Sequence, residues 1–163
     1  MSSNLDVGPF GGGNTAVFQD IQANGVAGQG ISGSAQVMNL NTVVVPQSWA
    51  ETISSNQIPL GKGVYFAEII DTCTTNDSTA NNIQYSIRDT DLNHLGGYKI
   101  NANSDGSTAV FGVNTSGSFY FELTVDKTIE VWIRVAGASI YLRGHNSGGG
   151  LEYYQQLRLT KVG

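Results

Sequence analysis

A chain of 163 residues with a formal charge of −5 and only 13% charged residues is long enough for one domain whose core needs neither disulfide nor metal. Its Lys and Arg residues form no run along the sequence, which speaks against a nucleic-acid partner, and a single cysteine, Cys73, excludes a disulfide framework or a four-cysteine zinc site. No apolar run reaches the roughly 18 residues of a membrane-crossing helix, and no basic-then-apolar leader is present, so no membrane partner and synthesis in a reducing cytoplasm are expected.

Residues 1–34 are rich in glycine and hold no Lys or Arg, yet Val7, Phe10, Val17, Phe18, Ile21, Val26 and Ile31 are spread through them as isolated apolar side chains. Glycine-rich chain loses much entropy on ordering, so such a segment orders best against a surface that buries its apolar residues. Two readings stand side by side. One is a docking arm that engages a partner through Val7, Phe10, Val17, Phe18 and Ile21. The other is a set of short edge strands packed on their own domain. In the first, deleting residues 1–34 leaves a folded domain that no longer docks.

Residues 35–163 are expected to form the folded domain. Ser34 to Pro46 is strand-like and stopped by the proline. Residues 47–59 show no period and read as an irregular connection. Val64 to Asp71 is a strand with Tyr65, Ala67 and Ile69 on one face; Phe66 and Ile70 on the other suggest a strand covered on both sides or placed at a subunit contact. Ile83, Tyr85 and Ile87 alternate in the next strand. Short strands follow around Tyr98 and at Val110–Val113. The strongest pattern lies in residues 117–135: Phe119, Phe121, Leu123 and Val125 alternate, then Ile129, Val131, Ile133 and Val135 after Asp126-Lys127-Thr128. The short polar break predicts an antiparallel hairpin. Residues 140–142, a glycine-rich loop at 144–150 and the alternating Leu157 and Leu159 close the chain. No stretch has a helical period. The fold class is all-β, an antiparallel β-sandwich with an extended N-terminal arm.

Few residues point to chemistry. Asp89, Asp91 and Asn93 have the spacing that opens a calcium loop, but His94 replaces the glycine and Ile100 the closing Glu, which favours a polar turn. His94 and His145 have no partner ligand at useful spacing. Cys73 has no base beside it, and Glu122 and Glu130 have basic neighbours that favour surface ion pairing over a glycosidase pair. Gly148–Gly150 lacks a phosphate-loop context, and the acceptor-like Asn76–Ser78 and Asn114–Ser116 lack a secretory signal. Neither catalysis, a cofactor nor a metal is expected. The aromatics Tyr120, Trp132, Tyr141, Tyr153 and Tyr154 look exposed, and outward aromatics on a sheet mean subunit burial or a sugar-stacking surface.

Gly63-Val64-Tyr65-Phe66 resembles the strand opening of the C1q and tumour-necrosis-factor superfamily. Gly117-Ser118-Phe119-Tyr120-Phe121 repeats a similar opening, and Leu157-Arg158-Leu159 resembles the buried closing strand. The resemblance implies a jelly roll and a homotrimer. The chain also resembles jelly-roll phage virion proteins, in particular capsid decoration (cement) proteins. That likeness implies a structural protein on the capsid surface of a virion, partnered by the major capsid protein. The alternative is a lectin-like head domain of a phage tail fibre or receptor-binding protein, with a glycan as partner.

Overall fold

The computed structural model describes residues 14–23, 29–31, 34–75, 81–102, 112–136, 140–142 and 151–162; among them the alternating sequence forms strands and no helix. In chain order these are β1 (Thr15–Ala23), β2 (Gly30–Ile31), β3 (Gln36–Val37), β4 (Thr42–Val45), β5 (Ile58–Leu60), β6 (Gly63–Thr75), β7 (Asn81–Asp89), β8 (His94–Ala102), β9 (Gly112–Leu123), β10 (Lys127–Ala136), β11 (Ile140–Leu142) and β12 (Leu151–Lys161). All pair antiparallel, in two sheets. The first runs β4-β1-β12-β6-β9, with β11 and β2 continuing beside the far end of β6. The second runs β3-β10-β7-β8, and β5 shares the β3 edge of β10. From β4 to β11 the chain changes sheet at every connection except β7–β8. That interleaving makes a jelly-roll sandwich rather than two stacked meanders.

Strand period two explains which side chains meet between the sheets. Tyr65, Ala67 and Ile69 of β6 and Leu157 and Leu159 of β12 point inward from the first sheet; Ile83, Tyr85 and Ile87 of β7 and Ile129, Val131, Ile133 and Val135 of β10 face them, all buried. Each such aliphatic contributes about 1.5–3 kcal/mol by leaving water. A run of rings threads this core: Trp49 to Tyr65 at 5.5 Å, Tyr65 to Phe121 at 5.3 Å, Phe121 to Phe119 at 6.3 Å, Phe119 to Tyr98 at 6.2 Å, and Tyr98 to Tyr85 at 4.9 Å. The run starts in the 47–57 connection, where Trp49 and Ile53 pack on the core, and ends in the second sheet. Two of its rings also close the sandwich by hydrogen bonds. The Tyr98 hydroxyl donates to the Ile69 carbonyl across the sheets (3.1 Å), and the Tyr85 hydroxyl donates to the buried Asp71 carboxylate. Burial, with Asp71 nearby, raises the Tyr98 hydroxyl well above its ordinary value, so it remains a donor.

The hairpin expected over residues 117–135 does not form. Among the described residues β9 pairs with β6, and β10 with β3, β5 and β7. Residues 124–126 instead carry the chain from one sheet to the other, and Val125, assigned to the apolar face by its spacing, is 56% exposed. The physical reason is symmetric apolarity. Phe121 and Leu123 would share one side of a hairpin with Ile129 and Val131, whereas on facing sheets the two sets bury one another. Three extended residues span about 10 Å, the gap between packed sheets. The corner is pinned where Asp126 Oδ1 accepts from the Lys62 backbone N–H at 2.9 Å.

The arm is corrected as well. Residues 15–23 are β1, an inner strand held by β12 on one side and β4 on the other, from Thr15↔Thr160 to Ala23↔Leu151. Ala16 and Phe18 are fully buried, so Phe18 is a core residue and no docking anchor; Val17 and Ile21 lie on the outer face. The alternation was hidden because the inward positions are Ala16, Phe18 and Asp20 rather than three large apolar residues. Asp20 is buried too, its carboxylate accepting from Asn41 Nδ2 and Gln22 Nε2, both at 2.8 Å, and burial raises its pKa. A bulge between Asp20 and Ile21 breaks the ladder there. On the opposite, β4 edge the Asn41 amide continues the ladder past Thr42, accepting from Ile21 N (3.0 Å) and donating to Ile21 O (2.9 Å). Val7 and Phe10 lie outside the described residues.

Candidate functional site

The Asp89–Asn93 segment is a turn closed by its own side chains. Asp89 Oδ1 accepts from Asn93 N (2.8 Å) and Oδ2 from Asn93 Nδ2 (2.9 Å), while Leu92 takes a left-handed φ of 65°. Lys127 from β10 places its ammonium 3.0 Å from Asp89 and 2.9 Å from Asp91. A lysine therefore stands where the calcium-like spacing would put a cation. Among the described residues no three His, Cys, Asp or Glu side chains gather as metal ligands. The Asn93 amide first, then Lys127, hold the Asp89 carboxyl down to about 2 from its ordinary 3.8. Its contribution to stability is therefore complete above about pH 4 and is lost as pH falls to about 2. Asp89→Asn is expected to lower the melting temperature at pH 7 and flatten its decline between pH 4 and 2. Parallel melting-versus-pH curves for the two proteins would contradict this.

The outer face of the first sheet carries few charged side chains, Glu68, Glu122 and Arg158 among the described ones. One row across it reads Thr15, Thr160, Phe66, Tyr120; the next reads Val17, Arg158, Glu68, Ser118; a third reads Gln19, Gln156, Ile70, Ser116. Phe66 and Tyr120 form a ring pair at 4.9 Å, and Tyr120 is 65% exposed. Thr15 and Thr160, in the same row, share a hydroxyl hydrogen bond (2.8 Å). The face thus presents an exposed aromatic pair flanked by Thr160, Val64 and Ser118, with the charged Glu68, Arg158 and Glu122 in the adjoining rows, an apolar centre with a charged border.

The outer face of the second sheet differs. Glu130, Trp132 and Arg134 project from β10 and Gln84, Ser86 and Arg88 from β7; all but Glu130 border a trough together with His94, Gly97 and Lys99 of β8. The Trp132 Nε1–H donates to Glu130 at 3.1 Å, Gln57 donates to the other oxygen of Glu130 at 2.9 Å, and the Arg88 guanidinium lies 4.8 Å over the indole.

No protein-family model and no curated protein matches this sequence. Solved structures do match its architecture. Eiger TNF from S. frugiperda aligns with a TM-score of 0.56 over 92% of this chain and 92% of its own, at 11% identity. Murine APRIL, in a crystal structure at pH 5.0, aligns with a TM-score of 0.53 over 91% of this chain and 98% of its own, also at 11% identity. The fold is a TNF-like jelly roll. At that identity the likeness is one of backbone, so site residues must be judged from their own surroundings.

Within this TNF-like jelly roll the five aromatics do not form one patch. Tyr120 and Trp132 stand on opposite outer faces, because β9 and β10 belong to different sheets. Tyr141, Tyr153 and Tyr154 belong to β11 and β12 of the first sheet, and their side chains lie outside the described residues. Glu122 and Glu130 are likewise separated by the sandwich and form no acid pair. The Cys73 side chain, His145, Gly148–Gly150 and Asn76–Ser78 also lie outside the described residues. Sequence reasoning missed Phe66 as the partner of Tyr120, though its outward position in β6 was the available signal. It missed Arg88 entirely, for no local pattern distinguishes it.

Proposed function

We propose that the chain is a non-enzymatic virion structural protein, a TNF-like jelly roll that forms a homotrimer and decorates a phage head by binding its major capsid protein. The observation that carries the reading is the outer face of the first sheet, where Phe66 and the 65% exposed Tyr120 form an outward ring pair on a chain with few charges to keep a monomer apart. Interfaces of this kind gain most from a central aromatic that becomes fully desolvated. Residues 1–13, with Val7 and Phe10, take over the docking role, since Phe18 belongs to the core. Bound to a capsid they would exchange chain entropy for buried apolar contacts.

Two measurements test the two parts separately. Tyr120→Arg places a charge at the centre of the face and is expected to weaken self-association by about 2 kcal/mol or more, a shift of at least thirtyfold in sedimentation equilibrium, with melting of the subunit little changed. A wild-type protein that sediments as a monomer at all concentrations sinks the trimer. Removing residues 2–13 is expected to leave folding and self-association intact while abolishing sedimentation with expanded phage heads. Undiminished head binding by that variant removes the docking role.

A further inference from the structure

Three of the chain's eight Lys and Arg residues, Arg88, Lys99 and Arg134, border one trough of about 450 Å³ on the outer face of the second sheet. Strand register explains its shape. The middle row across the face runs Trp132, Ser86, Gly97, shrinking from an indole to a hydroxymethyl group to no side chain. The row on one side is Arg134, Gln84, Lys99, and the row on the other is Glu130, Arg88, His94, all long. A low floor between two tall rows is a groove. Gly97 is required there, since a Cβ would collide with the Tyr85 carbonyl oxygen.

Arg88 is the unusual member. It sits at the β7–β8 register shift, and bulges of this kind re-aim a side chain. Its guanidinium packs on the Trp132 indole, yet its buried Nε–H has no hydrogen-bond acceptor. Glu130, its neighbour across the strands, does not supply one, for its two oxygens serve Gln57 and Trp132. That covered donor marks a guanidinium whose own strand neighbours do not neutralise it. Among the described residues, Arg88, Lys99 and Arg134 gather positive charge here on a chain of net charge −5, a setting that attracts an anion to the outer nitrogens of Arg88.

We propose that this trough binds an acidic saccharide, a sugar ring bearing a carboxylate. The carboxylate pairs with the planar fork of Arg88, supported by Lys99 and Arg134. Ring hydroxyls bond to the Gln84 amide and the Ser86 hydroxyl, and an apolar C–H face lies against the exposed part of Trp132. The volume is that of a small-ligand pocket. A nucleic-acid strand fits poorly, since it needs successive stacking platforms along a continuous basic track and the trough offers one indole. The proposal does not depend on what the first sheet binds, because the two faces are on opposite sides of the sandwich.

The test is calorimetric titration of the full chain with trigalacturonate and with an α2,8-linked sialic acid trimer, set against the methyl ester of trigalacturonate and inorganic phosphate. At least one acid trimer is expected to bind about tenfold or more tighter than the uncharged ester and than phosphate. Arg88→Gln should weaken that binding at least tenfold, while Lys62→Gln on a distant loop leaves it unchanged. Trp132→Phe provides a second variant should Arg88→Gln fail to fold, and its loss of the ligand-induced indole fluorescence change separates Trp132 from the core Trp49. Binding of neither acid trimer, equal binding of the ester, phosphate binding as tightly as the sugar, or unaltered affinity in a folded Arg88→Gln each overturns the proposal.

Discussion

Removing residues 1–34 abolishes the folded state instead of releasing a soluble sandwich. The deletion takes out β1, the strand that joins β12 to β4, together with β2. It removes Ala16, Phe18 and Ile31, each fully buried, and leaves β12 as a long bare edge whose inward side chains are Leu157 and Leu159. Exposed edges of that kind pair with other chains and aggregate. Phe18→Ala alone should cost about 3–5 kcal/mol by leaving a cavity the size of a ring. Against a total stability of about 5–15 kcal/mol, loss of the whole strand is not survivable. Circular dichroism melting of the truncated chain should show no cooperative transition, and size-exclusion should show aggregate. A truncated chain that melts cooperatively within a few degrees of the intact one would show that β1 is dispensable.

Gly117→Val is expected to be nearly as severe. Gly117 of β9 faces the sandwich interior opposite Tyr98, and a Cβ there would overlap the Tyr98 ring. The ring has no room to retreat. It is stacked on Tyr85 at 4.9 Å, tilted against Phe119 at 6.2 Å, and tied by its hydroxyl to the Ile69 carbonyl. Overpacking typically costs about 1–3 kcal/mol, and displacing Tyr98 also breaks a partly buried hydrogen bond worth about 1 kcal/mol. A loss of about 3 kcal/mol or more in urea denaturation is therefore expected. The cause is isolated by a second background: in Tyr98→Ala, where the ring is gone, Gly117→Val should cost far less. Gly61→Ala is the contrast, because its nearest neighbour would be Asp126 Oδ1 at an ordinary 3.6 Å. Equal losses for Gly61→Ala and Gly117→Val would show that backbone freedom, and not the Tyr98 ring, sets the effect.

Much of the sandwich was legible in residue order. β6, β7, β10 and the end of β12 each alternate cleanly, and the residues assigned inward by that alternation are the buried ones. Phe66 and Ile70 were correctly set apart as outward apolar residues of β6. Where reading failed, the deciding residues were small or polar. β1 turns inward through an alanine and an aspartate, so its only large core side chain, Phe18, passed for an isolated anchor. The β9–β10 break failed differently. Three polar residues fit a tight hairpin and a sheet-crossing corner equally well, and local spacing cannot choose between them. The trough was illegible for a third reason. Arg88, Lys99 and Arg134 are scattered along the chain, so the absence of a basic run gave no warning that pairing β8, β7 and β10 would bring them together.

Residue order alone thus determined that the chain is all-β and which side of most strands is apolar. A period of two is a property of neighbours, and the hydrophobic effect acts on it strand by strand. Which sheet each strand joins, whether Phe18 serves the core or a partner, and which side chains share an outer face were decided only by tertiary structure. Those outcomes depend on pairing between residues as far apart as Thr15 and Thr160, where two apolar faces gain more by covering each other than by lying side by side.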